Sequence, residues 1–184
     1  MRLKVIHPWS NDFNKAKELY FDTFPPEERV PITKIIALTT LRPSIKLLGL
    51  YENDQLCGFS LTVCTKRYLY VNFIAIDSKY RNHGYGSRLI TLLMRRYRLP
   101  IIALVKLPEY DTPEFETDRR RILFWQNQGA NFFHYSYLFT DADGRHYAVG
   151  VIGGDYDREA FQEVLDERSF HPASMYRNLK RILT

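Results

Sequence analysis

The sequence predicts a mixed α/β domain, a central sheet with helices packed over it. Three observations predict it. Residues 68–76, Tyr-Leu-Tyr-Val-Asn-Phe-Ile-Ala-Ile, are almost wholly apolar, as expected of a strand buried on both faces. A second apolar strand, Ile101 to Val105, follows after one intervening helix, which gives a parallel strand–helix–strand unit. Two hairpin patterns flank that unit. One joins strands 45–51 and 56–64 around Glu52-Asn53-Asp54-Gln55, the other strands 132–139 and 146–152 around Asp141-Ala142-Asp143-Gly144.

The remaining elements follow in order. Residues 2–6 alternate and read as a short strand. Ser10 or Asn11 caps a helix whose Phe13, Ala16, Leu19 and Tyr20 share one buried face. Pro25-Pro26 stops it. Glu27 and Glu28 open a second helical stretch, with Pro31 near its start and Ile35, Ile36 and Leu38 inside. The helix between the two buried strands turns Leu89, Ile90, Leu92, Leu93 and Tyr97 inward. A polar loop spans 107–117, and a helix from about Asp118 ends at Gly129. Helical patterns recur at 156–168 and 173–183. Residues 1–184 are therefore expected to form one domain, with a core over 2–152 and a C-terminal helical extension over 153–184.

Composition narrows the function classes. A chain of 184 residues can bury about 70% of its surface, enough for one good core. No apolar run approaches the ~18 residues of a membrane span, and Met1 to Pro8 is too short in apolar character for a signal peptide. Cys57 and Cys64 flank one strand, which holds them about 23 Å apart, far beyond disulfide reach. They read as reduced residues of a cytoplasmic protein. The five histidines show no metal spacing, and no metal site is expected. The net charge of +5 fits an acidic ligand, nucleic acid or an ordinary soluble surface. Aromatic–basic interleaving and a helix-turn-helix pattern are absent, so specific nucleic-acid binding is not expected.

The chemistry is concentrated in Ile74-Ala75-Ile76-Asp77-Ser78-Lys79-Tyr80-Arg81-Asn82-His83-Gly84-Tyr85-Gly86-Ser87. A buried strand ends, a loop with two glycines turns, and a helix starts. Gly84 and Gly86 permit positive φ and leave no Cβ in the way of a ligand. The loop's N–H groups, with a helix N-terminus behind them, make an anion site suited to a diphosphate. A Walker loop needs Gly-Lys-Ser/Thr, whereas Ser87 and Arg88 follow Gly86. A dinucleotide fingerprint needs a third glycine, and Leu89 stands there.

What remains is Arg81-x-x-Gly84-x-Gly86 directly after Ile74-Ala75-Ile76. In this the sequence resembles the GNAT superfamily of acetyl-CoA-dependent N-acetyltransferases. The resemblance implies a mixed, mostly antiparallel central sheet flanked by helices. It implies acetyl-CoA as co-substrate, held by Ile74, Ala75, Ile76, Arg81, Asn82, His83, Gly84, Tyr85, Gly86 and Ser87, with Lys79, Arg81 and Arg88 placed for its phosphates. Phe24-Pro25-Pro26-Glu27-Glu28-Arg29 also resembles the Phe-Pro-x-Glu-Glu-Arg segment of a bacterial subgroup of that superfamily.

The implied reaction is acetyl transfer to a primary amine by direct attack. A thioester is already activated, so three tasks remain. Backbone N–H groups near Phe73 to Ile76 are implied to meet the oxyanion. Glu28 is the candidate base, with Glu27 behind it; a helix-dipole role or a salt bridge to Arg29 is the structural alternative. Trp125 stands where many relatives place a tyrosine that protonates the thiolate. An indole N–H can orient the sulfur but supplies no proton, so Trp125 either orients it or is core, and Tyr110 is another candidate acid. Asp118 replaces the family's frequent asparagine, and Lys106 stands near where subgroup relatives carry acidic residues. Arg119 to Arg121 read as a solvated helix face. Tyr20, Phe24 and Arg29 are candidates to line an acceptor pocket. The acceptor is expected to be a small-molecule or peptide amine, and a homodimer is compatible with the tail. A non-catalytic acyl-CoA-binding module is the alternative.

Overall fold

A computed structural model describes residues 1–132, the backbone of 138–140, and 145–167. The elements run β1 (Arg2–Val5), α1 (Asn11–Thr23), a 3-10 turn (Pro26–Glu28), α2 (Ile32–Leu41), β2 (Ile45–Glu52), β3 (Gln55–Cys64) and β4 (Leu69–Ile76). They continue through a 3-10 turn (Ser78–Tyr80), α3 (Tyr85–Tyr97), β5 (Ile101–Lys106), α4 (Phe115–Asn127), β6 (Asn131–Phe132), β7 (Leu138–Thr140), β8 (His146–Ile152) and α5 (Arg158–Glu167). The strands form a single sheet in the order β1-β2-β3-β4-β5-β8, with β6 and β7 both on the far edge of β8. Among the described residues only β4 and β5 run parallel. The predicted mixed, mostly antiparallel sheet is the one observed.

Local rules explain the ends of α1. The Ser10 hydroxyl accepts from Phe13 N at 3.1 Å and caps the helix. Phe24 is extended ahead of Pro25, as the residue before a proline must usually be. The second helix differs from expectation. Glu27 and Glu28 lie in the short 3-10 turn, and α2 starts only after Pro31. Arg29 is extended between them, and Val30, directly ahead of Pro31, is disfavoured in the helical region. The helix expected from Asp118 starts earlier, at Phe115. Of the expected strand 132–139, Phe132 lies in β6 and Leu138 and Phe139 in β7, whose registers against β8 differ, and 133–137 lie outside the described residues. The turn around Asp141 to Gly144 and the helical pattern at 173–183 lie outside the described residues.

The sheet is buried on both sides. One face packs Phe13, Tyr20, Ile35, Phe59, Phe73 and Phe161 beneath α1, α2 and α5. The other packs Leu50, Val71, Leu89, Leu93, Ala103 and Trp125 beneath α3 and α4. Neighbouring residues of one strand divide between the two faces, Ile101 to one and Ile102 to the other. In β4 that alternation breaks. Leu61 faces Phe73, but the next residue, Thr62, faces Val71, so Asn72 is an extra residue in the ladder. Tyr70 and Phe73, three apart, therefore share a face. Cys57 and Cys64 are free thiols; burial pushes both up from the ordinary value. Among the described residues no helix is long and apolar enough to cross a membrane.

Candidate functional site

The site opens where β4 and β5 part. Leu69 pairs with Ile101 and Tyr70 with Ile102, and the pairing stops there. Both strands run on, β4 to Ile76 and β5 to Lys106, so their facing backbone groups have no partner in each other. The wedge holds a cavity of about 420 Å³. Its walls are Val71 to Ile74 and Ile76 from β4, Leu104 to Lys106 from β5, and Arg121, Phe124 and Trp125 from α4. Phe24 and Glu28 close it from the segment between α1 and α2.

The glycine loop borders one part of this cavity. Gly84 caps α3 in the left-handed region, φ +76, and a Cβ there would meet nothing within 4 Å. The space beside it is open to a ligand. The first N–H groups of α3 have no partner within the helix, and they carry the positive end of its dipole. Asn82 also takes positive φ, +62, a conformation asparagine tolerates. His83 Nδ1 lies 2.6 Å from the Arg81 carbonyl oxygen, so its ring is bound up in the turn. The Tyr85 hydroxyl donates to the Glu52 carboxylate, and that bond pushes the phenol up to about 12.

Two of the expected loop roles change. Gly86 does not take positive φ; it is helical, in the first turn of α3. A Cβ there would sit 2.9 Å from Phe124 Cε2. The missing side chain makes room for α4 as well as lining the cavity. Arg81 lines the cavity too, but its Nε donates to the Ile76 carbonyl at 2.9 Å. That bond ties the loop to the end of β4. Of the other predicted residues, Ile74 and Ile76 line the cavity, whereas Ala75 is buried on the opposite face. Asn82, His83, Gly84, Tyr85 and Ser87 do not line the cavity; they lie between its lining residue Arg81 and the first turn of α3.

The opposite wall carries charge. Arg121 Nη1 donates to Glu28 Oε1 at 3.2 Å and to Asp118 Oδ1 at 3.1 Å. Lys106 Nζ stands 2.9 Å from Asp118 Oδ2. Asp118 is 1% exposed and the Lys106 side chain 12%. The contact between them is ionic only, for Asp118 Oδ2 accepts no hydrogen bond among the described residues. Burying such charges is tolerable only because they neutralise one another. Arg119 pairs with Glu116 on the surface, at 3.6 Å, so the solvated-face reading holds for it and fails for Arg121.

Trp125 is both core and cavity wall. It is buried in the cluster beneath α3 and α4, edge-on to Phe124 at 5.6 Å, and it faces the wedge. Tyr110 is 84% exposed, stacked on Phe115, and does not line the cavity. Phe24 does line it. Tyr20 does not; its hydroxyl is held between the N–H and C=O of Val30. Arg29 donates to the carbonyls of Phe24 and Phe21 rather than bridging to Glu28.

Sequence reasoning missed the Lys106–Asp118–Arg121 cluster as a unit. Its signals were a lysine closing an apolar strand and an aspartate three residues before an arginine on one helix. It also missed the bulge at Asn72, which one asparagine in an otherwise apolar strand of eight residues foreshadows only weakly. Among the described residues no group of three or more His, Cys, Asp or Glu is placed to hold a metal.

A model of the acetyltransferase (GNAT) family matches residues 11–104. No curated protein matches the sequence. Among solved structures, a protein assigned to the GNAT acetyltransferase family from Bacteroides thetaiotaomicron is similar, with TM-score 0.78 and 22% identity over 94% of this chain and 99% of that one. An aminoglycoside 6'-N-acetyltransferase complexed with coenzyme A is similar at TM-score 0.61 and 14% identity, over 85% of this chain and 100% of its own. The ribosomal-protein-S18-alanine N-acetyltransferase of Escherichia coli is similar at TM-score 0.58 and 15% identity, over 85% of this chain and 97% of its own. At these identities the likeness is one of fold.

Proposed function

Because the chain belongs to the acetyltransferase (GNAT) family, we propose that it transfers an acetyl group from acetyl-CoA to a primary amine by direct attack in a ternary complex. The observation that carries this reading is the wedge between β4 and β5, which opens a cavity beside the Arg81–Ser87 loop. The parted strands leave room for a long thin substrate arm between unpaired backbone edges. The open space at Gly84 and the free N–H groups at the start of α3 fit a diphosphate at the rim. Lys79, Arg81 and Arg88 would add positive charge there.

The residues divide the work. N–H groups of β4 from Phe73 to Ile76 would meet the acetyl oxygen as it becomes an oxyanion, a contribution of about 3 kcal/mol from preorganised donors. Glu28 takes a proton from the amine. An alkyl ammonium has a pKa near ~10.4, so at pH 7 only about one molecule in 2,500 is neutral without such help. Arg121 fixes the Glu28 carboxylate at the cavity wall. Trp125 orients the sulfur and shields it from water. The acceptor is a small-molecule or peptide amine.

Residues 1–184 act as one acetyltransferase domain of the subgroup carrying Phe24 to Arg29, with residues 153–184 as its extension. The protein is cytoplasmic, and a homodimer is compatible with that extension. A second reading, a non-catalytic acyl-CoA-binding module, is favoured by Trp125, which has no proton to supply.

The test is a thermal-shift titration with acetyl-CoA, CoA, ATP and NAD side by side. Ligand at 100 times Kd adds about 2.7 kcal/mol. Stabilisation by both CoA species alone, abolished by Gly84→Glu, supports the reading. No shift with either CoA species overturns it. Stabilisation without turnover on an amine panel selects the binding module.

A further inference from the structure

Acetyl transfer creates two charges that the three tasks above leave uneven. The base gains a proton and becomes neutral, while sulfur departs with an electron pair. In a cavity whose remaining walls are apolar, a cation beside the sulfur favours that change. Four groups set the charge of this wall: Glu28 from the 3-10 turn, Asp118 and Arg121 from α4, and Lys106 from the end of β5. At rest they hold two positive and two negative charges. Arg121 Nη1 serves both carboxylates, so its charge is shared between Glu28 and Asp118, whereas Lys106 faces Asp118 alone.

Lys106 is different. Its ammonium lies 2.9 Å from Asp118 Oδ2, yet that oxygen accepts no hydrogen bond among the described residues. The Lys106 side chain is largely buried and lines the cavity at the open end of the wedge. Its position is held by charge, and an ammonium carries three N–H donors, of which one carboxylate oxygen is the nearest partner among the described residues. The adjacent titratable groups are Asp118, Arg121 and Glu28, with Tyr147 opposite it on β8 and Tyr70 and Arg120 on the cavity wall.

We propose that Lys106 is the cation that receives the leaving thiolate of CoA, with Asp118 as the residue that positions it. This rests on the acetyltransferase reading. The amine nitrogen forms its bond to the acetyl carbon. The carbon–sulfur bond breaks, and its electron pair goes to sulfur. The ammonium loses its first proton through Glu28 to solvent before attack, and the second, released from nitrogen as the amide forms, goes to the Glu28 carboxylate. Lys106 supplies charge to the sulfur and transfers no proton. The wall thus gains one positive charge when Glu28 is protonated, and the thiolate cancels it. Glu28 returns its proton to solvent, and CoA takes one from solvent as it leaves.

The test needs no knowledge of the acceptor. The thiol of bound CoA is titrated through its ultraviolet thiolate band, with desulfo-CoA as the blank, in wild type, Lys106→Arg, Lys106→Met and Asp118→Asn. The expected result is a bound thiol more acidic than free CoA. Lys106→Met raises it by about one pH unit or more, a tenfold loss of thiolate near neutral pH. Lys106→Arg keeps the charge and preserves most of the effect; Asp118→Asn weakens it. A bound thiol that titrates like free CoA, or that ignores Lys106→Met, overturns the assignment. Failure of the wild type to bind CoA overturns the acetyltransferase reading instead.

Discussion

Glu28 and Arg121 meet at 3.2 Å across the cavity, although 93 positions separate them in sequence. The contact joins the 3-10 turn behind α1 to α4 and sets the carboxylate against the wedge. A base held by an arginine is fixed in place, and its removal has a definite kinetic signature. Glu28→Gln is expected to lower kcat about 100-fold at pH 7 and less at high pH, where the amine is already neutral. The pH profile of kcat with any accepted amine checks this; a profile that keeps its wild-type shape removes Glu28 from the base role.

Gly86 and Phe124 form a complementary pair, one giving up a Cβ to the ring of the other. Gly86→Ala is expected to destabilise by about 1–3 kcal/mol, as overpacking usually does. Phe124→Leu in the same chain should restore part of that loss, and a double-mutant cycle by urea unfolding reads the coupling. Additive effects would mean that the helices relax without contact between these two positions.

Tyr20 is buried, and burial pushes its phenol up to about 12. The unfolded phenol titrates near ~10. The neutral hydroxyl thus contributes fully below about pH 10 and loses its contribution as pH rises towards 12. Tyr20→Phe leaves the buried N–H and C=O of Val30 without their partner, a loss of about 1–3 kcal/mol at neutral pH. It should also flatten the alkaline decline in stability between those two values. Unfolding measured across that range distinguishes this from a loss that is the same at every pH.

Asp157 works in the opposite direction. The Ala160 N–H, at 2.8 Å, and Arg67 hold its carboxyl below the usual range. Its contribution is present above the ordinary carboxylate value of ~3.9 and fades as pH falls through the lower folded value. Asp157→Asn should lower Tm at neutral pH and make the acid limb shallower. Equal slopes in the two proteins between pH 5 and 3, a window of about that width around the carboxylate range, would show that the charge contributes nothing.

The legible part of the molecule was its periodic part. Strands buried on both faces, the βαβ unit and the Gly84 turn leave patterns that a single sequence displays, and each stands where expected. Charge partnerships between distant elements leave none. Arg119, Arg120 and Arg121 look alike in sequence, yet Arg119 pairs with Glu116 in solvent while Arg121 turns to a buried aspartate. Which arginine turns inward is decided by where α4 packs on β5, a tertiary fact. Gly86 is a similar case. A glycine beside a phosphate-type loop suggests backbone freedom, and only the approach of Phe124 shows that space was the need.

The sheet can also be regarded as two plates riveted at one end. Beyond Leu69–Ile101 and Tyr70–Ile102 nothing in the ladder joins β1–β4 to β5–β8. A molecule lodged in the gap acts as mortar, supplying the hydrogen-bonding partners that the missing rungs would have provided. Its arrival should slow amide exchange along residues 71–76 and 103–106 while leaving the β2–β3 hairpin, already paired on both sides, unchanged. The mechanical continuity of the protein is then completed by what it binds.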